Sequence, residues 1–444
     1  MTANSTQLKK VLKPIHLWAI AVALVISGEY FGWNYGWQAA GTVGFLIATI
    51  VVTILYITFI FSYTELTTSI PHAGGAFAYA YKAMGPIGGL VAGYATVIDF
   101  VLATPAIASS LGSYLHFLYP ELPVLAVALF FYLIFTILNI VGVRESAVFS
   151  VVITILAIAE LLLFMGIIAP HYKSANFLHD GLPFGWKGIF AGLPFAVWFY
   201  LAIEGVAMTA EEVKDPKRDI PKGYIAGLAT LVFLALGVSV LTGGIGDWHK
   251  LANIDYPLPE AIGLVLGKGS GLTKLFTGIG LFGLIASFHG TILAYSRQIF
   301  AIARSGYLPQ FLAGINARFK TPHWATIVGS LIGILVLVIL QRTDQIIILS
   351  VLGALMMYLM SMLSLFMLRK KQPNMVRPFV SPFYPVFPAM ALLLTAVCMG
   401  AIIYYNFWLS ACFFGGLLLI ALAYMVTGKH KQPITDDLLK ETLA

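Results

Sequence analysis

Twelve apolar stretches of roughly 20 residues, each long enough to cross about 30 Å of hydrocarbon, recur near residues 15–40, 42–70, 86–117, 122–141, 146–169, 189–212, 222–246, 272–304, 323–340, 344–368, 384–404 and 407–427. Inside a bilayer the backbone must satisfy its own polar groups, and at this length the structure that does so is the helix. The chain is therefore expected to be an all-α integral membrane protein with twelve transmembrane helices. Its composition agrees: of 444 residues 59% are hydrophobic and 10% charged, and the mean hydropathy is +0.90, outside the range of water-soluble domains. The longest polar connections, 247–271 and 369–382, are too short to hold a separate soluble domain.

The formal charge of +7 invites a nucleic-acid or membrane-surface reading, but its placement answers better than its sum. With both ends cytoplasmic, the outer connections hold only Lys173, Lys187, Lys250, Lys268, Lys274 and Arg342, while every other Lys and Arg falls on an inner segment, Lys9, Arg144, Lys214, Arg297, Arg369 and Lys429 among them. The positive-inside rule then fixes an even number of spans with cytoplasmic termini. The polar residues before Leu12 and the long apolar stretch after it do not read as a signal peptide, so insertion is expected through the first span itself. Cys398 and Cys412 have no His or Cys neighbour at metal-ligand spacing, so neither a disulfide framework, a metal site nor a cofactor is indicated.

Within the first apolar stretch one charge stands out. Glu29 sits in Ser27-Gly28-Glu29-Tyr30, and residues 15–40 carry no other. A carboxylate at the bilayer centre costs about 2.5 kcal/mol or more on insertion scales and usually faces a cavity or an ion path; the alternative is a protonated carboxyl bonded to a neighbouring helix. Ser27-Gly28, with Gly32 beyond, reads as a helix break followed by a short aromatic half-helix through Trp33, Tyr35 and Trp37. The sixth span carries Glu204-Gly205, with Gly192-Leu193-Pro194 nearer its outer end. Paired broken helices mark midplane binding sites in transporters built from inverted repeats.

Three further motifs lie on the inner side: Pro71-His72-Ala73-Gly74-Gly75-Ala76-Phe77-Ala78-Tyr79, Glu211-Glu212-Val213-Lys214-Asp215-Pro216-Lys217-Arg218-Asp219-Ile220-Pro221, and Ser296-Arg297 through Ala303-Arg304-Ser305-Gly306-Tyr307-Leu308-Pro309. Together they resemble the amino acid-polyamine-organocation (APC) transporter superfamily over roughly residues 15–370. The resemblance implies a leucine-transporter-like fold with 5+5 inverted repeats, about 15–169 and 189–368, broken helices 1 and 6, helices 11 and 12 over 384–427, and cytoplasmic tails at 1–14 and 428–444. Substrate would lie among spans one, three, six and eight. The motifs themselves read as turns, topology signals and gate contacts, the glycine pair serving a tight turn.

At the expected site this chain departs from that family. Amino-acid carriers show a Gly-Ser-Gly break whose amides and helix N-terminus receive a carboxylate; here Ile26 replaces the first glycine and Glu29 follows the last. A fixed carboxylate would repel a bound one, which favours cargo with an amine and no carboxylate. The runs 25–37 and 199–205 resemble the ethanolamine permease branch. On this reading Ser27, Gly28, Glu29, Tyr30, Asp99, Trp198, Ala202, Glu204 and Phe288 are substrate-binding candidates. Asp99 either pairs an ammonium or bonds a neighbouring helix, and Trp198 either caps the site by cation–π contact or packs. Glu160, Glu204 and His289 are the coupling candidates, His289 reading more readily as a packing residue. The family's frequent span-five lysine is absent, Ala157 standing there. The coupling ion is left open between proton and sodium.

The expectation is a secondary transporter in the cytoplasmic membrane importing ethanolamine or a similar small amino alcohol by alternating access. The alternative is an amino-acid or polyamine exchanger of the same fold, favoured if Glu29 is protonated. A channel or sensor lacks a signalling domain to support it, and no nucleophile–base pair or phosphate loop points to an enzyme.

Overall fold

The computed structural model describes residues 10–142 and 147–428, the side chains of 147–149 excepted. Most of the two expected tails, with Lys9, Lys429, Lys431 and Lys440, and the inner-connection Arg144 lie outside the described residues. The described helices are α1 (Pro14–Val25), α2 (Ser27–Tyr30), α3 (Tyr35–Ser69), α4 (Ala76–Leu118), α5 (Val124–Val141), α6 (Ala147–Ile168), α7 (Ser174–Leu178), α8 (Gly185–Trp198), α9 (Pro216–Gly243), α10 (Pro257–Leu266), α11 (Gly271–Arg304), α12 (His323–Leu340), α13 (Thr343–Lys371), α14 (Val386–Tyr405) and α15 (Phe407–Val426). A 3-10 segment, Ile203–Glu212, continues the line of α8. Among the described residues 11 helices are long and apolar enough to cross a membrane, and ahead of them lies the shorter apolar α1.

Burial sorts these helices into an inner set and a lipid-facing set. The apolar window of α8 with its 3-10 continuation is 89% buried and those of α4 and α13 are 78% buried, against 28% for α5 and 17% for α15. Water provides no driving force between helices in lipid, so inner helices associate where small residues let backbones approach. At Gly353 of α13 an added Cβ would lie 2.7 Å from both Ala95 O and Asp99 N of α4. That contact holds α13 against α4, and α3 packs similarly along α8.

Both helices expected to be broken are interrupted, but the first not where Ser27-Gly28 suggested. Ile26 keeps helical dihedrals (φ −57°, ψ −23°), and the ladder only tightens there, Glu29 N–H donating to Ile26 O at 3.0 Å. Full unwinding comes a turn later, where Phe31 is extended (φ −161°, ψ 172°) and Gly32 takes φ +92°, a region open to glycine. In the second, α8 ends at Trp198 and Ala202 adopts φ 78° before the 3-10 segment begins. The break thus precedes Glu204-Gly205, while Gly192-Leu193-Pro194 remains helical inside α8.

Two other bends form a matched pair. α4 is bent at Gly85 (φ 77°), which separates a short helical stretch from the long one, and α10 ends at Gly267 (φ 89°) before α11 starts. Each thus sets a short helix ahead of a long one, α4 in the first half of the chain and α11 in the second.

Candidate functional site

The break after Tyr30 frees carbonyls that must find donors in a buried setting. Each finds an aromatic one. Trp33 Nε1 donates to Glu29 O (3.1 Å), Tyr114 Oη to Tyr30 O (3.1 Å) and Trp198 Nε1 to Phe31 O (2.9 Å). Asn34 accepts from Gly32 N–H (3.0 Å) and donates to the carbonyls of Leu251 (2.6 Å) and Ile254 (2.8 Å). Aromatic donors from the half-helix itself, from α4 and from α8 thus take up the carbonyls that the opened helix frees.

The two breaks touch. A Cβ on Gly28 would stand 2.5 Å from Trp198 O, so only glycine lets the backbones of α2 and α8 meet. Beside this contact is a small cavity whose lining includes Ser27, Ala103, Ile107, Trp198, Ala202 and Thr291. Ser27 is fixed from α11: Ser287 Oγ donates to Leu24 O (2.8 Å), so Ser27 Oγ donates to Ser287 Oγ (2.7 Å). Ala103 and Ile107 continue a stripe of period four that starts at Asp99 on α4, which puts Asp99 on the same face one turn away.

Asp99 and Glu204 are both buried. Ser350 Oγ donates to Asp99 O (2.8 Å) and lies 3.4 Å from Asp99 Oδ1. Tyr358 Oη donates to Glu204 Oε2 (3.0 Å) and lies 2.9 Å from Tyr56 Oη. Asp99 Oδ2 and Glu204 Oε1 have no protein hydrogen-bond partner. Each of these carboxyls, one on α4 and one on the 3-10 segment, is thus met by a hydroxyl from α13.

Glu29 is fully buried, and neither of its oxygens has a protein donor. It shares α2 with Ser27 but is not among the residues lining the cavity. Glu29 on α2 and Asp99 on α4, the two expected ammonium partners, share no hydrogen-bond partner among the described residues, the Asp99 contacts going to Ser350. Tyr30 turns to α6, its hydroxyl donating to Glu160 Oε2 at 2.6 Å and approaching Ala157 O at 3.3 Å. Phe288 packs edge-on against Tyr132 (5.1 Å) and Phe135 (5.7 Å) of α5 and is not among the lining residues. His289 Nδ1 meets Asn139 Nδ2 at 3.0 Å.

Of the sequence candidates, Ser27, Trp198 and Ala202 line the cavity, with Gly28 at its edge. Thr291, Ala103 and Ile107 were not among the candidates; the latter two could have been found from the four-residue spacing that follows Asp99. Tyr56, Tyr114 and Tyr358 gave no local signal, since their partners lie on other helices.

The three quoted motifs meet at the N-terminal face. Ala73 N–H donates to Glu211 Oε1 (2.8 Å), Arg297 Nη1 pairs with Glu212 Oε1 (3.0 Å), and Phe77 packs edge-on against Tyr307 (5.2 Å). The N-terminal segment straps the same place, Leu12 and Val213 forming a parallel bridge with Lys214 N–H donating to Leu12 O (3.0 Å). At the opposite face Asp255 accepts from Tyr35 Oη (2.5 Å) and Thr343 Oγ1 (2.7 Å), while its carbonyl accepts from Ser110 (2.8 Å). Burial raises the Asp255 carboxyl above its ordinary value, against the lowering effect of these donors.

A bundle of membrane-crossing helices, with a cavity between two interrupted ones and a latch at each face, defines a multi-pass membrane transporter. The chain belongs to the amino acid permease family, whose model matches residues 12–428. It is 32% identical over 426 residues to the uncharacterized transporter R00093 of Rhizobium meliloti, covering 92% of this chain and 90% of that one. It is 26% identical over 460 residues to the branched-chain amino acid permease BcaP of Bacillus subtilis (97% and 96% covered). A methylthioribose transporter of Bacillus subtilis is 27% identical over 414 residues (88% and 87% covered).

Proposed function

We propose that this carrier imports a small amine lacking a carboxylate, ethanolamine or a close amino alcohol, by alternating access. The observation that carries the reading is Glu29: a completely buried carboxyl with no protein donor for either oxygen, beside the contact of the two breaks. Leaving such a group unpaired is costly, and an ammonium from cargo would satisfy it while repelling carboxylate-bearing analogues. The cavity as it stands has room for about one water molecule, so cargo would enter only once the breaks move apart, with Trp198 as a wall and Ser27 as a hydroxyl partner. A relative named for methylthioribose supports cargo other than amino acids within the family.

The architecture that fits is twelve crossings in a leucine-transporter-like arrangement with two five-helix repeats. Its support is the interruption at the head of each half and the matched short helices ended by Gly85 and Gly267. The positive-inside pattern puts both termini and the motif cluster in the cytoplasm. A membrane potential would favour entry of a cationic amine by about 2.3 kcal/mol per 100 mV.

A second reading keeps the fold and makes the cargo an amino acid. It is favoured by the relative named as a branched-chain amino acid permease, and it requires Glu29 protonated with backbone amides near Ser27-Gly28 receiving the carboxylate. A thermal-shift panel of ethanolamine, choline, putrescine, alanine, leucine and arginine on the purified carrier separates the two. Stabilisation by ethanolamine, lost in Glu29→Gln, is the expected result. Stabilisation by leucine or alanine without a response to ethanolamine would establish the second reading instead.

A further inference from the structure

A helix of one turn does not hold its own orientation, because fixing its dihedrals is costlier than its single hydrogen bond is stabilising. α2 is such a helix, four residues from Ser27 to Tyr30, so its direction must come from tethers to its neighbours. Tyr30 supplies two. Its hydroxyl donates to Glu160 Oε2 of α6 at 2.6 Å, with Ala157 O the longer contact at 3.3 Å, and its carbonyl accepts from Tyr114 Oη of α4 at 3.1 Å. The third neighbour, α11, makes room with glycines. A Cβ on Gly283 would lie 2.6 Å from Tyr30 Oη, and one on Gly280 2.9 Å from Glu160 Oε1. Tyr30 and Glu160 are 0% and 4% exposed, so bulk water does not compete for the bond between them.

The anchored residue stands between two decisive ones. Unwinding begins at the next residue, Phe31, and Glu29 comes just before, about 100° around the helix. Holding the Tyr30 ring in the seam between α6 and α11 therefore fixes both where the first span opens and which way Glu29 faces. We infer that Glu160 is a positioning residue: through Tyr30 it sets the direction of Glu29, and so the affinity for cargo. Only Oε2 of Glu160 is engaged, while Oε1 has no protein partner. The side chain thus acts as a hydrogen-bond acceptor, a part that a neutral amide can also play. That separates this role from proton relay, which needs an exchangeable carboxyl. The effect on cargo rests on the amino-alcohol reading, whereas the anchoring of α2 does not.

Hydrogen-exchange mass spectrometry of the carrier in lipid nanodiscs tests the anchor without cargo, through the amides of Glu29 and Phe31, which donate to Ile26 O and Ser27 O. Glu160→Leu should speed their exchange about tenfold, as expected for the loss of one buried hydrogen bond, and leave α13 unchanged. Glu160→Gln should restore most of the protection. Tyr30→Phe, which keeps Glu160 in place, should match Glu160→Leu, and the double variant should add nothing further. In proteoliposomes, with ethanolamine as the probe, Glu160→Leu should raise KM about tenfold and Glu160→Gln should bring it back towards wild type. A merely structural loss would lower the maximal rate and leave KM where it was. Unaltered exchange in Glu160→Leu, or in Tyr30→Phe should Glu160→Leu not fold, would overturn the inference, as would a Glu160→Gln variant as damaged as Glu160→Leu. The expected exchange pattern with no ethanolamine uptake by wild type would leave the anchor standing and count against the amino-alcohol reading alone.

Discussion

At the residue scale the account turns on groups whose surroundings leave little choice. Gly28 is fixed by a backbone carbonyl, Trp198 O, 2.5 Å from where a Cβ would sit. Gly28→Ala must push α2 off α8, a cost of about 1–3 kcal/mol for overpacking, and should lower the melting temperature and abolish uptake; an unchanged melting temperature would mean that the breaks do not touch. Glu29 was legible from sequence as an isolated charge in an apolar run; that it is fully buried with no protein donor could not be read from that run. That Glu29 is not among the residues lining the cavity was not legible, because the direction of a side chain is set by the fold around it. Phe288 shows the converse: a residue on the expected helix turns its ring toward α5, an orientation that adjacency in sequence cannot fix.

At the element scale the broken first helix is held open by aromatic donors from its own half-helix and from α4 and α8. The interruption itself could be read from Ser27-Gly28 and Gly32, but not its position. A small residue permits unwinding, whereas the place of unwinding is set by which carbonyls can be paired, and Tyr114 and Trp198 come from remote parts of the chain. Tyr114→Phe leaves Tyr30 O without its donor and should cost about 1–3 kcal/mol of stability, measured by thermal unfolding in detergent; a neutral result would show that another donor takes over. A second fastening joins α3 to the end of α13. Glu65, buried, accepts from Arg369 Nε (2.9 Å) and Nη2 (2.6 Å) and from Ser381 N–H (2.7 Å), with Arg377 Nε at 3.3 Å. Removing one partner of such a buried pair costs about 3–5 kcal/mol, so Glu65→Ala should be the most destabilising substitution on this face, and Glu65→Gln less so.

At the scale of the whole molecule both faces are latched at once, the N-terminal face by the motif cluster and the opposite face by Asp255. The helical class and the three motifs were readable because hydropathy and local turn chemistry carry them. The convergence of those motifs on one cluster was not, since Ala73, Glu211, Glu212 and Arg297 meet only in three dimensions. The Asp255 latch has a pH signature outside the spans. Its carboxyl is raised by burial, so the stability it contributes is complete below about pH 4, the unfolded value, and is lost as pH rises through the raised folded value. Asp255→Asn should flatten that part of the melting profile, and an unaltered profile would remove Asp255 from the latch. The central claim, that a buried carboxyl at Glu29 selects amines over amino acids, is tested most directly by uptake of radiolabelled ethanolamine into proteoliposomes with unlabelled leucine as competitor. The account predicts saturable ethanolamine uptake that leucine does not inhibit and that Glu29→Gln reduces by tenfold or more; leucine uptake by the wild type, with Glu29→Gln unaffected, would contradict it.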